Sequence, residues 1–122
     1  MALKYFDTYI LWEISRANEK FSMYENEEFI ISHLTLAEFY GIILREYNEA
    51  TANYWLKKLL GNTRQVPLQT LIKAMKFRHA HKKQDVSFFD AVGYVFAQEN
   101  KIPFVTGDKE FKGMPGVEFI QK

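Results

Sequence analysis

The chain has no cysteine. That excludes disulfide staples, thiolate nucleophiles and cysteine-ligated zinc, and it fits a reducing cytoplasm. Proline and glycine are scarce, at 3 and 6 residues, and no Pro/Gly/Ser-rich linker, low-complexity tract or internal repeat divides the 122 residues. A single domain over residues 1–122 is therefore expected, long enough for a real core. No apolar run approaches the ~20 residues a membrane span requires. The opening "MALKYFDTYILWEI" has neither a long apolar stretch nor a small-residue cleavage pattern, so secretion is not expected and a cytoplasmic location is. Charge of one sign is lacking too. Sixteen Lys and Arg against fifteen Asp and Glu leave +1, which names no partner, so any contact with nucleic acid must rest on local patches.

What is abundant is apolar and aromatic: 48% of residues are hydrophobic, 16% aromatic, and 11 are Phe. That composition belongs to a packed globular chain and not to a disordered one. Residues 3–11 ("LKYFDTYIL") begin as a short apolar strand that Asp7 interrupts, and 28–34 ("EFIISHL") read as a second strand. From Thr35 the period becomes helical, with Leu36, Phe39, Tyr40, Ile43 and Tyr47 at steps of three and four. "NEATANYWLKKLLG" is a second helix ended by Gly61. "RQVPL" has room for a very short strand before a helix from near Pro67, whose apolar side is Leu68, Leu71, Ile72, Met75 and Phe77. A helix over 87–100, a strand "IPFVT" and a final strand "GVEFI" complete the chain. Strands alternating with helices predict a parallel sheet covered on both faces, with ligands beyond the carboxyl ends of its strands.

Four acids stand at such strand-to-helix junctions. Asp7 ends the first strand, Glu38 follows the second, Asp90 lies in the first turn of the helix from Ser87, and Asp108 follows "PFVT". Each also has a plain structural explanation. Thr35-x-x-Glu38 and Ser87-x-x-Asp90 have capping-box spacing, and Asp7 and Asp108 can cap short helices. If the four converge, their mutual repulsion has to be relieved. Two carboxylates ~5 Å apart repel by roughly 3 kcal/mol at an effective dielectric of about 20. A small domain with ~5–15 kcal/mol of total stability does not carry several such pairs idly. Either protons are taken up or divalent cations neutralise the site. Carboxylate oxygens without sulfur suit Mg²⁺ or Mn²⁺, and such ions assist phosphodiester hydrolysis.

At these residues the chain resembles the PIN-domain nucleases, most of all the small prokaryotic proteins of the VapC type, the toxins of toxin–antitoxin pairs. Four segments carry the likeness: "KYFDTYIL", "SHLTLAEFY", "SFFDAVGYVFAQENKIPFVTGD" and "TGDKEFKGMPGVEFI". The resemblance implies a three-layer α/β/α sandwich around a parallel sheet of four or five strands. It implies RNA cleavage dependent on one or two Mg²⁺ or Mn²⁺ ions, with Asp7, Glu38, Asp90 and Asp108 as the acidic quartet. Asp7 and Asp90 would hold the main ion, Asp108 would help, and Glu38 would ligate or position the attacking water. Thr8 and Thr106 would orient a ligand or water. Apart from the resemblance, Lys109 and Lys112 stand beside the proposed site in the sequence, placed to hold a phosphate. The partners implied are an RNA substrate, a cognate antitoxin and a second copy in a homodimer. Tyr9 departs from the family, which more often has a small or amide residue there.

Other features carry two readings. "KAMKFRHAHKK" (73–83) interleaves Lys73, Lys76, Arg78, Lys82 and Lys83 with Phe77 and two histidines. It could grip RNA phosphates with Phe77 stacked on a base, but a solvated helix face with Phe77 in the core is preferred. His79-x-His81 is poor metal spacing on a helix, His33 reads as structural, and Asp85 is a weaker third acid than Asp90. The aromatic stripe continued by Tyr54 and Trp55 is either core or a groove for an antitoxin segment or second copy. Phosphatase and receiver domains also put acids at strand ends, but they want a further acid near Asp7, where Tyr9 stands. A non-cutting PIN-like binder and an RNA-processing enzyme without a toxin role compete with the toxin reading.

Overall fold

The computed structural model describes residues 2–121. Five short strands form one parallel sheet in the order β3-β2-β1-β4-β5, with β1 Lys4–Phe6, β2 Phe29–Ser32, β3 Thr63–Arg64, β4 Phe104–Thr106 and β5 Val117–Phe119. The chain builds outward from β1 through β2 to β3, then returns to β4 on the other side of β1. Strand order therefore reverses between β1 and β4, the place where parallel sheets open a crevice at their carboxyl edge.

Alternation along the strands makes two cores. Tyr5, Ile30 and Phe104 face one side, where α4 (Leu68–Ala80) and α5 (Phe88–Glu99) cover them. Phe6, Ile31 and Val105 face the other, beneath α1 (Thr8–Ser15), α2 (His33–Glu46) and α3 (Glu49–Leu59). The expected three-layer sandwich is the fold. α5 lies close against β1 because Gly93 has no side chain: a Cβ there would meet Tyr5 Cε1 at 2.8 Å. The buried Tyr5 hydroxyl takes the Ser32 N–H at 3.0 Å and shares a 2.8 Å hydrogen bond with Thr35 Oγ1, which fastens β1 to the start of α2. At the opposite, amino edge Lys4 Nζ pairs with Glu27 at 2.9 Å and Glu118 at 3.0 Å.

Several sequence expectations shift. The first strand stops at Phe6, because Asp7 caps a helix over the residues expected to continue it. The helix expected from Thr35, α2, starts at His33 under a Ser32 cap. The third strand, Thr63–Arg64, starts one residue before "RQVPL" and shares only Arg64 with it. A 3₁₀ segment, Glu19–Asn26, has no counterpart among the expected elements, its composition being polar; it buries Phe21 and Tyr24. On α4 the buried residues are Thr70 and Ala74, while Leu68, Ile72 and Met75 lie on the exposed side.

Candidate active site

Local structure explains why each acid stands where it does. Asp7 is the N-cap of α1, its Oδ1 accepting the Ile10 N–H at 3.0 Å. Asp90 is the third residue of α5, its amide donating to the Ser87 cap at 3.1 Å. Asp108 caps the 3₁₀ turn Lys109–Phe111 through the Glu110 N–H at 3.0 Å. Three of the four therefore do serve at helix starts, as the plain explanation requires. Glu38 does not. With Ser32 as the cap of α2, the Thr35–Glu38 capping box is absent, and Glu38 instead accepts a short hydrogen bond from Thr8 Oγ1.

Capping and convergence turn out to be compatible. Asp7, Glu38, Asp90 and Asp108 line one cleft of ≈ 620 Å³ at the carboxyl edge of the sheet, where strand order reverses. Its remaining walls are Thr8, Tyr9, Trp12, Ile42, Arg45, Glu46 and Gly107. Tyr9, the departure from the family, packs against Gly107, where any Cβ would collide with its ring.

The electrostatics record the crowding. Asp7 is 2% exposed, and burial drives its carboxyl well above the ordinary 3.8. The Asp90 and Asp108 charges push the same way, opposed by hydrogen bonds from Thr106 and Ile10. Asp90 is raised to about 7, by burial first and then by Glu38 and Asp108. Burial also raises Glu38, with the Thr8 hydroxyl opposing it. Thr106 is fully buried; its Oγ1 donates a short hydrogen bond to Asp7 Oδ2 and accepts the Asp108 N–H at 3.0 Å, so it holds two acids in register.

These residues fit a hard divalent cation by chemistry. The donors are carboxylate oxygens alone, in a partly desolvated cleft whose charges oppose one another. Each Asp7 oxygen already accepts one hydrogen bond and has a second lone pair left. As the side chains stand, no three acidic or histidine groups among the described residues form a ready-made metal cage.

The sequence profile of the PIN domain matches residues 4–117. The chain belongs to the PIN-domain family. Among solved PIN-like structures, it is similar over 100% of both chains to a toxin–antitoxin complex from Klebsiella pneumoniae, at 21% identity and TM-score 0.76. It is similar to VapC20 of Mycobacterium tuberculosis, a Sarcin-Ricin loop cleaving toxin, at 17% identity and TM-score 0.80 over 99% of this chain and 100% of that one. DNA-bound VapBC from Salmonella typhimurium matches at 19% and 0.76, over 99% and 98%. No curated protein matches.

The remaining expected site residues fall elsewhere. Lys109 and Lys112 do not line the cleft, and Lys112 Nζ sits 5.4 Å over the Phe119 ring. Asp85 lines a separate cleft with Arg78, Lys82 and Lys83. Phe77 is half-buried, stacked on His81 at 4.2 Å and packed against Tyr94 beside the core, so its ring is taken up by protein contacts. His33 is structural, its Nδ1 accepting the Val66 N–H at 3.2 Å. Sequence reasoning misses Trp12, Ile42, Arg45 and Glu46. For α2 the signal is present, since Ile42, Arg45 and Glu46 follow Glu38 at four, seven and eight residues. For Trp12 it emerges only once Asp7 is recognised as a cap.

Proposed function

We propose that this PIN-domain protein is a divalent-metal-dependent endoribonuclease, the toxin of a type II toxin–antitoxin pair. The observation that carries the chemistry is that the four junction acids, Asp7, Glu38, Asp90 and Asp108, up to 101 positions apart, line one cleft, with Glu46 also in its lining. Asp7 and Asp90 would hold the principal ion, Mg²⁺ or Mn²⁺, with Asp108 completing its site or that of a second. Such an ion, when bound, supplies charge neutralisation at the phosphate and Lewis-acid activation of water. The chain itself supplies position. Thr106 keeps Asp7 and Asp108 aligned, and Thr8 holds Glu38 where it can orient the attacking water and take its proton.

The toxin assignment is supported by neighbours that are toxins or toxin–antitoxin complexes. A ≈ 270 Å³ groove between α1 and α3, lined by Leu11, Ile14, Phe29, Trp55 and Leu59 among others, would suit an apolar antitoxin segment. The exposed α4 face, with Leu68 at 67% and Met75 at 51%, suits a homodimer contact.

The test is incubation of purified protein with a mixed RNA pool in Mn²⁺ or in EDTA, beside Asp90→Asn. Cleavage requiring both the metal and Asp90 is expected. Equal cleavage by Asp90→Asn, or in EDTA, would refute the assignment. A small adjacent reading frame for a DNA-binding antitoxin separates the toxin from an RNA-processing enzyme.

A further inference from the structure

A second cleft, of ≈ 430 Å³, lies where α4 ends and the chain turns toward α5; Arg78, His79, Lys82, Lys83 and Asp85 line it. Three permanent cations there face one carboxylate. Among the described residues neither Lys82 nor Lys83 has an ion-pair partner. Arg78 does not float: its Nε–H donates to the Val86 carbonyl at 3.0 Å, which fixes the guanidinium and leaves its terminal N–H groups unused by that bond.

The place of this cleft matters as much as its charge. Val86 anchors in the core, Ser87 caps α5, and Asp90 lies within the first turn. Asp90 lies four positions after Val86, and an extended chain advances at most about 3.6 Å per residue, so their Cα atoms lie within about 14 Å. Both clefts are at the end of the molecule where α5 begins. Until metal neutralises them, the carboxylates of the acidic cleft repel an RNA strand, and a basic site nearby offsets this by attracting its flanking phosphates.

We infer that the Arg78–Lys82–Lys83 cleft is a phosphate-binding subsite for the RNA strand flanking the cleaved bond. The inference rests on the nuclease reading for its substrate. It needs no base recognition, since Phe77, the one aromatic in that stretch, is taken up by protein contacts beside the core. Point cations on flexible stems grip the backbone independently of sequence.

The experiment measures binding apart from cutting. Asp90→Asn protein in EDTA is titrated into a 5′-fluorescein single-stranded RNA by fluorescence anisotropy at several salt concentrations. Lys82→Glu/Lys83→Glu in that background is expected to weaken binding by about tenfold or more and to lower the log–log salt slope by about 1.4, at about 0.7 per phosphate contact on a single strand. The charge-matched control Lys20→Glu/Lys57→Glu should change neither. All four lysines are exposed, so the folded state is not at stake. Equal effects from both double variants, or none from the first, overturn the subsite. So does displacement of RNA by polyglutamate at equal charge, which would mark a surface for acidic proteins. Cleft-dependent binding by a chain that leaves RNA intact in Mn²⁺ would instead refute the nuclease reading and keep the subsite.

Discussion

Replacing Asp90 with asparagine should stabilise the metal-free protein, and the gain should depend on pH in a specific way. Asp90 ionises at about 7 in the fold against an ordinary 3.8. Each tenfold change in proton affinity is worth about 1.4 kcal/mol, so the ionised form costs roughly 4 kcal/mol once pH exceeds both values. The sign comes from linkage: the folded state holds the proton more tightly, so stability is greatest below 3.8 and is lost as pH rises through about 7. Asparagine keeps the shape and the backbone amide that donates to Ser87 but never ionises. Allowing for partial solvent contact, Asp90→Asn should melt on the order of 10 °C above wild type at pH 8 in EDTA, with the difference vanishing near pH 4. Thermal melts followed by circular dichroism across that range read this directly. A residue that only capped α5 would show a small loss, equal at every pH, and unchanged cleavage. A difference at pH 8 no larger than at pH 4 refutes the crowding of charge in this cleft.

The same geometry sets three more outcomes. Mn²⁺ should raise the melting temperature of wild type more at pH 8 than at pH 5, because ions compete with protons for the same oxygens; at 100-fold over its dissociation constant the gain is about 2.7 kcal/mol. An equal gain at both pH values would place the ion elsewhere. Thr106→Val removes the hydroxyl that holds down the Asp7 proton affinity, so the acid limb of the pH–rate profile should move to higher pH, with a stability loss of about 1–3 kcal/mol. A limb that stays in place would show that Asp7 does not set it. Gly93→Ala drives a methyl into Tyr5 and should cost about 1–3 kcal/mol by chemical denaturation while leaving the cleavage rate per folded molecule unchanged.

Much of this architecture is legible in the amino-acid order because local and global signals agree. The strands "KYF", "FIIS" and "FVT" are short runs buried on both faces, which read as continuous apolar stretches, and helices of regular period separate them. Boundaries are lost where one residue has two uses. Asp7 ends a strand and caps a helix at once, so the apolar run on either side of it looks like one element. Ser32, the last residue of β2, is hidden as the true cap by Thr35, whose hydroxyl is turned inward to Tyr5. On α4 the period is real but does not give the orientation: Thr70 is held inside by Glu99 Oε1 at 2.6 Å, which turns Leu68, Ile72 and Met75 outward. The acidic quartet is visible because strand ends of a parallel sheet share one edge. The aromatic and basic walls around it, Tyr9, Trp12 and Arg45, are not, since they depend on how α1 and α2 are rotated.

Crystals soaked in Mn²⁺ and measured at a wavelength where manganese scatters anomalously test the central claim most directly. A peak in the cleft within about 2–2.3 Å of carboxylate oxygens from Asp7 and Asp90 is the predicted result. Manganese bound only outside that cleft, at a concentration that supports RNA cleavage, would contradict it.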